Sequence, residues 1–128
     1  MDSAALSGLT TAGNGNVAIK TTNGDLTIAQ AVNANGTGNI TLDANGTNSD
    51  VNVQAALTSG TGSLTITADD SIVFTADGDI TTAGTGSVSI TSNTDTATGD
   101  TGNVITMVDG TVIDAGASTV SITSTAAN

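Results

Sequence analysis

Short groups of aliphatic residues that alternate with polar ones occur along the whole chain. In an extended strand, such alternation places every second side chain on the same face. The clearest group recurs five times, and its copies carry the aliphatic pairs Val17/Ile19, Ile40/Leu42, Leu64/Ile66, Val88/Ile90 and Val120/Ile122. The first four copies begin at residues 15, 38, 62 and 86, and the fifth begins at residue 118. The chain is therefore a repeat with a period of 23 or 24 residues and one longer interval of 32 residues.

Two further aliphatic groups complete each period. The second group supplies Leu26/Ile28, Val51/Val53 and Ile72/Phe74, with a fourth copy within residues 104–107 whose inward positions the pattern does not fix. The third group is centred on Leu9, Val32, Leu57, Ile80 and Val112. A short strand cannot bury its apolar face alone, but periods stacked about 4.8 Å apart would align these residues into continuous columns. The pattern therefore predicts an all-β fold, a parallel β-solenoid or β-helix of about five coils of roughly 24 residues, with three short strands per coil.

The repeat predicts a single solenoid domain over residues 1–128. Residues 1–14 and 118–128 form partial coils, and residues 15–37, 38–61, 62–85 and 86–117 form full coils. The extra length of the last full coil lies near residues 93–101, and solenoids accept such insertions as loops on one side. Two interpretations of this loop stay open, a tolerated surface loop and a contact loop for a partner. A helical fold is disfavoured because glycine recurs every few residues and no 3.6-residue periodicity is present.

The composition removes several classes of function. The 128 residues include one basic residue, Lys20, and twelve acidic residues, all of them aspartate, so the net charge is −11. A single cation cannot neutralise a row of phosphates or dock on anionic lipid, so we expect no nucleic-acid partner. No apolar run reaches the length of a membrane helix, so we expect no membrane insertion. Histidine and cysteine are absent, which removes the usual nucleophile pairs and the usual zinc and iron ligands.

Two stretches of the repeat carry a family resemblance. They read GDITTAGTGSVSITS (residues 78–92) and GNVITMVDGTVIDAG (residues 102–116). Both resemble the repeats of giant bacterial surface and secreted proteins, namely the filamentous-haemagglutinin-like adhesins and the autotransporter-type passengers. The resemblance covers nearly the whole chain through degenerate strand-and-turn patterns. It implies a right-handed β-helix, an extracellular or cell-surface location, a stalk or adhesive role and contact with cell-surface or matrix components. It carries over no catalytic residue.

Carboxylates are the only residues of the repeat that could form a metal site. The candidates are Asp69, Asp70, Asp77, Asp79 and Asp109, which lie at predicted turns. In the predicted register Asp109-Gly110 stacks on Asp77-Gly78, and like charges stacked so closely repel unless a cation or water separates them. Calcium is the natural cation for such hard oxygen ligands, although the glycine-rich nonapeptide of calcium-binding solenoids is absent. The alternative is that these aspartates form solvated turns and that the chain needs no cofactor.

We expect no enzymatic activity. Paired acids cleave glycosidic bonds in other proteins, but β-helix enzymes related to pectate lyases rely on basic residues that this chain lacks. A sugar-binding groove also needs aromatic residues, and the only aromatic residue, Phe74, is predicted to point inward.

The outward positions of the first strand group form a row of hydroxyls. This hydroxyl row comprises Thr65, Thr67, Ser89, Thr91, Ser121 and Thr123. It resembles the ice-binding face of β-solenoid antifreeze proteins, although Lys20 and Asp43 interrupt the row in the first coils. Ice binding is therefore a lesser alternative function.

The ends of the repeat suggest how copies of the chain could meet. Residues 1–14 match the latter part of a coil and residues 118–128 match the first part, so two copies placed end to end would complete one turn. Solenoids usually carry polar caps, and the sequence shows none. We therefore expect a protomer that stacks head to tail into a fibre through the end-coil residues Ala5, Leu9, Val120 and Ile122, since such a contact propagates. The alternative is a stalk segment cut from a giant bacterial adhesin.

Overall fold

The computed structural model describes residues 8–95 and 103–125, which form fourteen short strands joined by turns. The strands are β1 (Leu9–Thr11), β2 (Val17–Thr21), β3 (Leu26–Ile28), β4 (Val32–Ala34), β5 (Ile40–Ala44), β6 (Val51–Val53), β7 (Leu57–Ser59), β8 (Leu64–Ala68), β9 (Ile72–Phe74), β10 (Ile80–Thr82), β11 (Val88–Ser92), β12 (Ile105–Met107), β13 (Ile113–Asp114) and β14 (Val120–Ser124). Over the same two ranges, no helix has the length and apolarity that crossing a membrane requires.

The strands assemble into three parallel sheets. The long sheet contains the five-residue strands in the order β2, β5, β8, β11, β14. The middle sheet has the order β3, β6, β9, β12, and the last sheet has the order β1, β4, β7, β10, β13. Neighbours within a sheet come from successive repeats, so that Val17 pairs with Ile40 and Ile40 pairs with Leu64. The predicted all-β, parallel β-solenoid is therefore confirmed.

The solenoid has fewer turns than the predicted five coils. Three turns run without interruption, namely β2–β4, β5–β7 and β8–β10. The coil of β11–β13 contains residues outside the described ranges, and β1 and β14 each add only one strand of a further coil. About three complete turns are present, because the sequence-based number included partial coils and the coil with the insertion. Of that insertion, near residues 93–101, only residues 93–95 belong to the described part.

The inward side chains form continuous apolar columns. Ile40 and Leu64 are fully buried, and Val88 above them is 1% exposed. Phe74, at the end of β9, is also fully buried, as its alternation predicts. Full burial of one such side chain is worth about 1.5–3 kcal/mol relative to exposure, so this stacked core is the main favourable term in folding.

Glycines stack at the third corner, where the chain passes from the last sheet to the next long strand. A Cβ atom on Gly38 would lie 2.2 Å from the carbonyl oxygen of Gly15. Gly62 and Gly86 face the carbonyl oxygen of the glycine one coil earlier at 2.1 and 2.0 Å. Inside this corner, Ser59 Oγ lies 2.8 Å from the carbonyl oxygens of both Gly38 and Gly62. The third corner therefore stacks backbone directly on backbone and leaves no space for a side chain.

The first corner, between the long and the middle sheet, varies most in length. It spans residues 22–25, 45–50 and 69–71 in the three complete turns, and residues 93–104 in the next coil. The strands on either side nevertheless keep their parallel pairing. Length changes in the repeat are therefore absorbed mainly at this one corner.

The fourth coil differs by one residue from the predicted register. Ile80 pairs with Ile113 and Phe74 pairs with Met107, so both strands lie 33 residues beyond their partners instead of 32. The inward residue of the last strand is thus Ile113, whereas Val112 is 53% exposed. The prediction of an inward Val112 was wrong because the insertion adds nine residues at the first corner and the third corner is then one residue shorter, which restores the offset of 32 in β14.

Candidate functional site

The C-terminal face of the solenoid is an exposed apolar surface. It is formed by β14 together with residues that precede and follow β12. Its exposed apolar side chains are Val104, Met107, Val108, Val112, Val120 and Ile122. Among them, Val120 and Ile122 are 43% and 47% exposed. β14 pairs with β11 on one side, so its opposite edge is available for a further strand.

β14 has the same sequence as the interior strand β11. Both strands read Val-Ser-Ile-Thr-Ser. In β11 the inward residues Val88 and Ile90 are 1% and 0% exposed, because coils lie on both sides of them. The C-terminal face therefore presents the same strand chemistry that binds a neighbouring coil inside the solenoid.

The N-terminal face is a second apolar surface. A cavity of about 420 Å³ opens there and is lined mainly by aliphatic side chains, among them Leu9, Ile19, Leu26, Ile28 and Val32. Leu9 is 43% exposed. Of the four end-coil residues predicted from the sequence, Leu9 thus lies on the N-terminal face, Val120 and Ile122 lie on the C-terminal face, and Ala5 lies outside the described residues.

Gly15, at the N-terminal face, continues the glycine column of the third corner. At Gly38, Gly62 and Gly86 glycine is required by a carbonyl oxygen of the preceding coil. A Cβ on Gly15 would instead have the side chain of Thr11, of its own coil, as its nearest neighbour, with 3.2 Å between the two Cβ atoms. The axial restriction that excludes a side chain from the other three positions is therefore not imposed on Gly15 by a described coil.

Polar side chains at the start of strands connect one coil to the next. Asn16 Oδ1 accepts a hydrogen bond from the Asn39 backbone N–H at 2.9 Å, and Asn39 Oδ1 accepts one from the Ser63 N–H at 2.8 Å. Asp25 Oδ1 and Asp50 Oδ1 accept equivalent bonds from the N–H of the next coil at 3.0 and 2.9 Å. These bonds all run in the same direction along the solenoid, so a coil packed before Asn16 would have a defined polarity.

The predicted hydroxyl row is in register on the outer face of the long sheet. Thr65 pairs with Ser89, which pairs with Ser121, and the row of Thr67 continues in the same way through β11 to β14. The Thr67 hydroxyl is not free, because it donates a hydrogen bond of 2.7 Å to Asp43 Oδ1. The row is therefore flat and regular, but its first member is committed to a neighbouring carboxylate.

Asp43 also binds the single lysine. Lys20 Nζ lies 2.7 Å from Asp43 Oδ2, on the outer face of β2 and β5. Burial by itself would raise the pKa of Asp43, but the hydrogen bonds from Lys20, Thr67 and Asn45 and the charge of Lys20 together lower it. The one cation of the chain is thus used in an outward ion pair within the long sheet.

The five candidate calcium ligands do not form one cluster. Asp77 and Asp109 are exposed, and Asp79 Oδ1 accepts a hydrogen bond from the Val112 N–H at 2.8 Å. The predicted stacking of Asp109 on Asp77 was wrong: the offset of 33 residues places Asp109 over Ala76. In the described part of the chain, no three acidic side chains come together as a metal site.

Asp69 and Asp70 occupy the first corner, in different environments. Asp69 bridges two coils, because its carboxylate accepts hydrogen bonds from the Gly46 N–H at 2.6 Å and from the Thr94 hydroxyl at 2.5 Å. Asp70 is turned inward, is 9% exposed, and accepts a hydrogen bond of 3.2 Å from the Ser71 hydroxyl.

The first corner encloses polar groups that the sequence did not reveal. Of the buried polar residues in the described ranges, most lie at this corner or beside it, namely Ser49, Asp70, Ser71, Ser92 and Asn93. Asn93 is fully buried and has a positive φ of 55°. The only sequence signal was the length of the corner, since an asparagine in a turn ordinarily reads as a solvated residue. We refer to this group, together with Asn103, as the polar corner.

Comparison of the chain with protein-family models, with curated proteins and with solved structures finds no match.

Proposed function

We propose that this chain is a structural module, a β-solenoid that stacks head to tail with a second copy of itself to form a fibre. The observation that carries this proposal is the identity between β14 and β11. The same pentapeptide is buried where a coil covers it and exposed where none does. A surface made of interior strand sequence favours another strand of the same kind as its partner.

The proposed contact joins β14 of one copy to β2 of the next. In the register of the long sheet, Val120 would pair with Val17 and Ile122 with Ile19 of the neighbouring copy. The cavity at the N-terminal face, which Ile19 helps to line, would receive the exposed aliphatic side chains of the C-terminal face. The glycine at position 15 supports this register, because it leaves space for a carbonyl oxygen where the other three glycines of the column meet one.

Charge and handedness complete the proposed architecture. The net charge of −11 would hold neighbouring fibres apart while strand pairing acts along the axis. We propose that the coil is right-handed, because crossover connections between parallel strands of one sheet are almost always right-handed. The module is proposed to be non-enzymatic and to act outside the cell or at the cell surface, the location implied by its resemblance to bacterial adhesin repeats.

Two other functions are kept as alternatives. The chain would be a stalk segment of a giant bacterial adhesin if its ends pack only against further coils of the same polypeptide. Contacts would then involve cell-surface or matrix components. Ice binding is favoured by one observation, the in-register hydroxyl row on β8, β11 and β14, and thermal hysteresis of a dilute solution would reveal it.

Electron microscopy over a concentration series tests the fibre. The test variant carries Val120→Asp and Ile122→Asp on the inward face of β14. The matched control carries Ser121→Asp and Thr123→Asp, which adds the same charge to the outward face of the same strand. We expect unbranched filaments with an axial repeat of about 4.8 Å for the wild type and the control, and none for the inward variant, whose circular dichroism should remain rich in β-structure. Monodisperse particles of the wild type at every concentration would reject the fibre and leave the adhesin stalk.

A further inference from the structure

The polar corner contains more hydrogen-bond acceptors than donors. Asn93 Oδ1 and Asn103 Oδ1 are buried, and no described residue donates a hydrogen bond to either oxygen. The orientation of the Asn93 amide is fixed, because its Nδ2 donates a bond of 2.6 Å to the Thr125 carbonyl oxygen. Turning the amide over would place Oδ1 against that carbonyl, so rotation cannot remove the imbalance.

The same corner also contains the carboxylate of Asp70. Asp70 is 9% exposed, and its backbone carbonyl accepts the Asn93 N–H at 2.9 Å. A buried carboxylate normally requires a paired cation. Lys20, the only basic side chain, is bound to Asp43 on the outer face of the long sheet and cannot supply it.

Asn103 lies close to both of these residues. The pairing of β9 with β12 places Asn103 at the position above Asp70, because Ile72 pairs with Ile105. The Asn103 carbonyl oxygen accepts a bond of 2.7 Å from the Ser124 hydroxyl, next to the Thr125 carbonyl that binds Asn93. The two unpaired amide oxygens and the buried carboxylate therefore occupy one corner of successive coils.

We propose that the polar corner binds a calcium ion, with the Asp70 carboxylate, Asn93 Oδ1 and Asn103 Oδ1 as protein ligands. Carboxylate and amide oxygens are ligands that calcium prefers, and water completes its shell of six to eight oxygens. Calcium also tolerates the irregular ligand geometry of a turn, whereas magnesium demands a near-ideal octahedron. The ion would join β8, β11 and β12 at the corner where the repeat varies most.

Isothermal titration of the calcium-stripped chain with calcium chloride tests the site. The variant Asp70→Asn keeps the shape of the side chain and removes its charge. The control Asp77→Asn makes the same charge change at an exposed corner of the middle and last sheets. We expect one calcium ion per wild-type chain. Asp70→Asn should weaken affinity by about tenfold or more, while the control stays within about twofold.

A gain-of-affinity variant covers the case in which Asp70→Asn does not fold. Asn103→Asp adds a second carboxylate ligand and should tighten calcium binding by about tenfold, since ligand charge sets the affinity of such sites. Calcium should also raise the melting temperature of the wild type more than the same concentration of magnesium does. The proposal is overturned if the wild type binds no calcium, if Asp70→Asn and Asp77→Asn weaken binding equally, or if Asn103→Asp leaves the affinity unchanged.

Discussion

Strands β11 and β14 compare one sequence in two environments. Each reads Val-Ser-Ile-Thr-Ser, and the two strands pair with each other residue by residue. Ile90 in β11 is completely buried, whereas its counterpart Ile122 in β14 is 47% exposed. The strand sequence is constant, so the difference comes entirely from the number of coils around the strand.

The comparison teaches that burial in this molecule is a property of neighbours. Each strand contributes the same aliphatic face, but that face is stabilised only when another coil covers it. Solenoid stability is correspondingly close to a sum of repeat terms and nearest-neighbour interface terms. The identical pair of strands makes it possible to separate these two terms by substitution.

The largest effect is expected from truncating the paired isoleucines. Ile90→Ala removes buried methyl groups between two coils and should lower the free energy of unfolding by about 2–5 kcal/mol. Ile122→Ala, in the same local sequence, should cost about 1 kcal/mol or less, because half of the side chain is already in contact with water. Urea unfolding at a concentration too low for stacking measures both. Equal losses would show that the strand, and not its neighbours, determines the stability.

The glycine column should show the next largest contrast. Gly62→Ala places a Cβ atom 2.1 Å from the Gly38 carbonyl oxygen and should destabilise the chain by about 1–3 kcal/mol through forced backbone shifts. Gly15→Ala meets only its own Thr11 side chain and should cost less than about 1 kcal/mol in the dilute chain. Thermal unfolding followed by circular dichroism compares the two variants. If Gly15→Ala is as damaging as Gly62→Ala, a coil already covers the N-terminal face.

The last serines of the two strands should reverse the order expected from burial. Ser92 is fully buried and its hydroxyl bonds to the Ser124 hydroxyl at 2.9 Å, while exposed Ser124 also donates to the Asn103 carbonyl. Ser124→Ala leaves the Ser92 hydroxyl buried without this partner and should cost about 1–2 kcal/mol. Ser92→Ala should cost less, about 0.5 kcal/mol, because Ser124 keeps its bond to Asn103. A double-mutant cycle on unfolding free energies measures the coupling, and a larger loss for Ser92→Ala would contradict this account.

The smallest effects concern two aspartates whose pKa values move in opposite directions. Asp43 has a lowered pKa, so its stabilising contribution is present above the ordinary value and is lost as the pH falls through the lowered pKa. Burial, together with the charges of Asp70 and Asp25, raises the pKa of Asp50 against the hydrogen bond from Ser71. The native state therefore holds this proton more tightly, and that contribution is lost as the pH rises through the raised pKa.

The two charge-removing variants should consequently differ in sign at neutral pH. Asp43→Asn should destabilise the chain and Asp50→Asn should stabilise it, each by less than about 1 kcal/mol because both groups are partly solvated. Urea midpoints at pH 7 and near pH 4 measure the change. A destabilising Asp50→Asn at pH 7 would mean that its hydrogen bond to Ser71 outweighs the repulsion among the carboxylates.

The regular part of the fold could be predicted from the sequence because strand alternation and coil stacking leave few choices. The pairs Val17–Ile40 and Ile40–Leu64 follow directly from the repeat. The fourth coil was harder, because the Asp-Gly pairs at residues 77–78 and 109–110 look equivalent. Their flanking strands show that they are displaced by one residue, and a turn dipeptide cannot reveal this without the pairing on both sides.

The candidate sites divide in the same way. Val120 and Ile122 could be placed on an end face from their position in the repeat, and the structure locates them there with high exposure. The burial of Asn93 could not be foreseen, because it depends on how a twelve-residue corner, residues 93–104, folds over a three-residue one, residues 69–71. Polar residues in turns carry no periodicity, so their direction is determined by the tertiary structure alone.

The Lys20–Asp43 ion pair has a practical consequence for proteolysis. Trypsin cleaves after lysine and arginine, and the bond after Lys20 is the only such bond in the chain. It lies inside β2, where Lys20 pairs with Asp43 across to β5, so the enzyme can reach it only when the first coil opens. The rate of this single cut therefore reports how often the N-terminal coil detaches, and a copy docked against β2 would slow it.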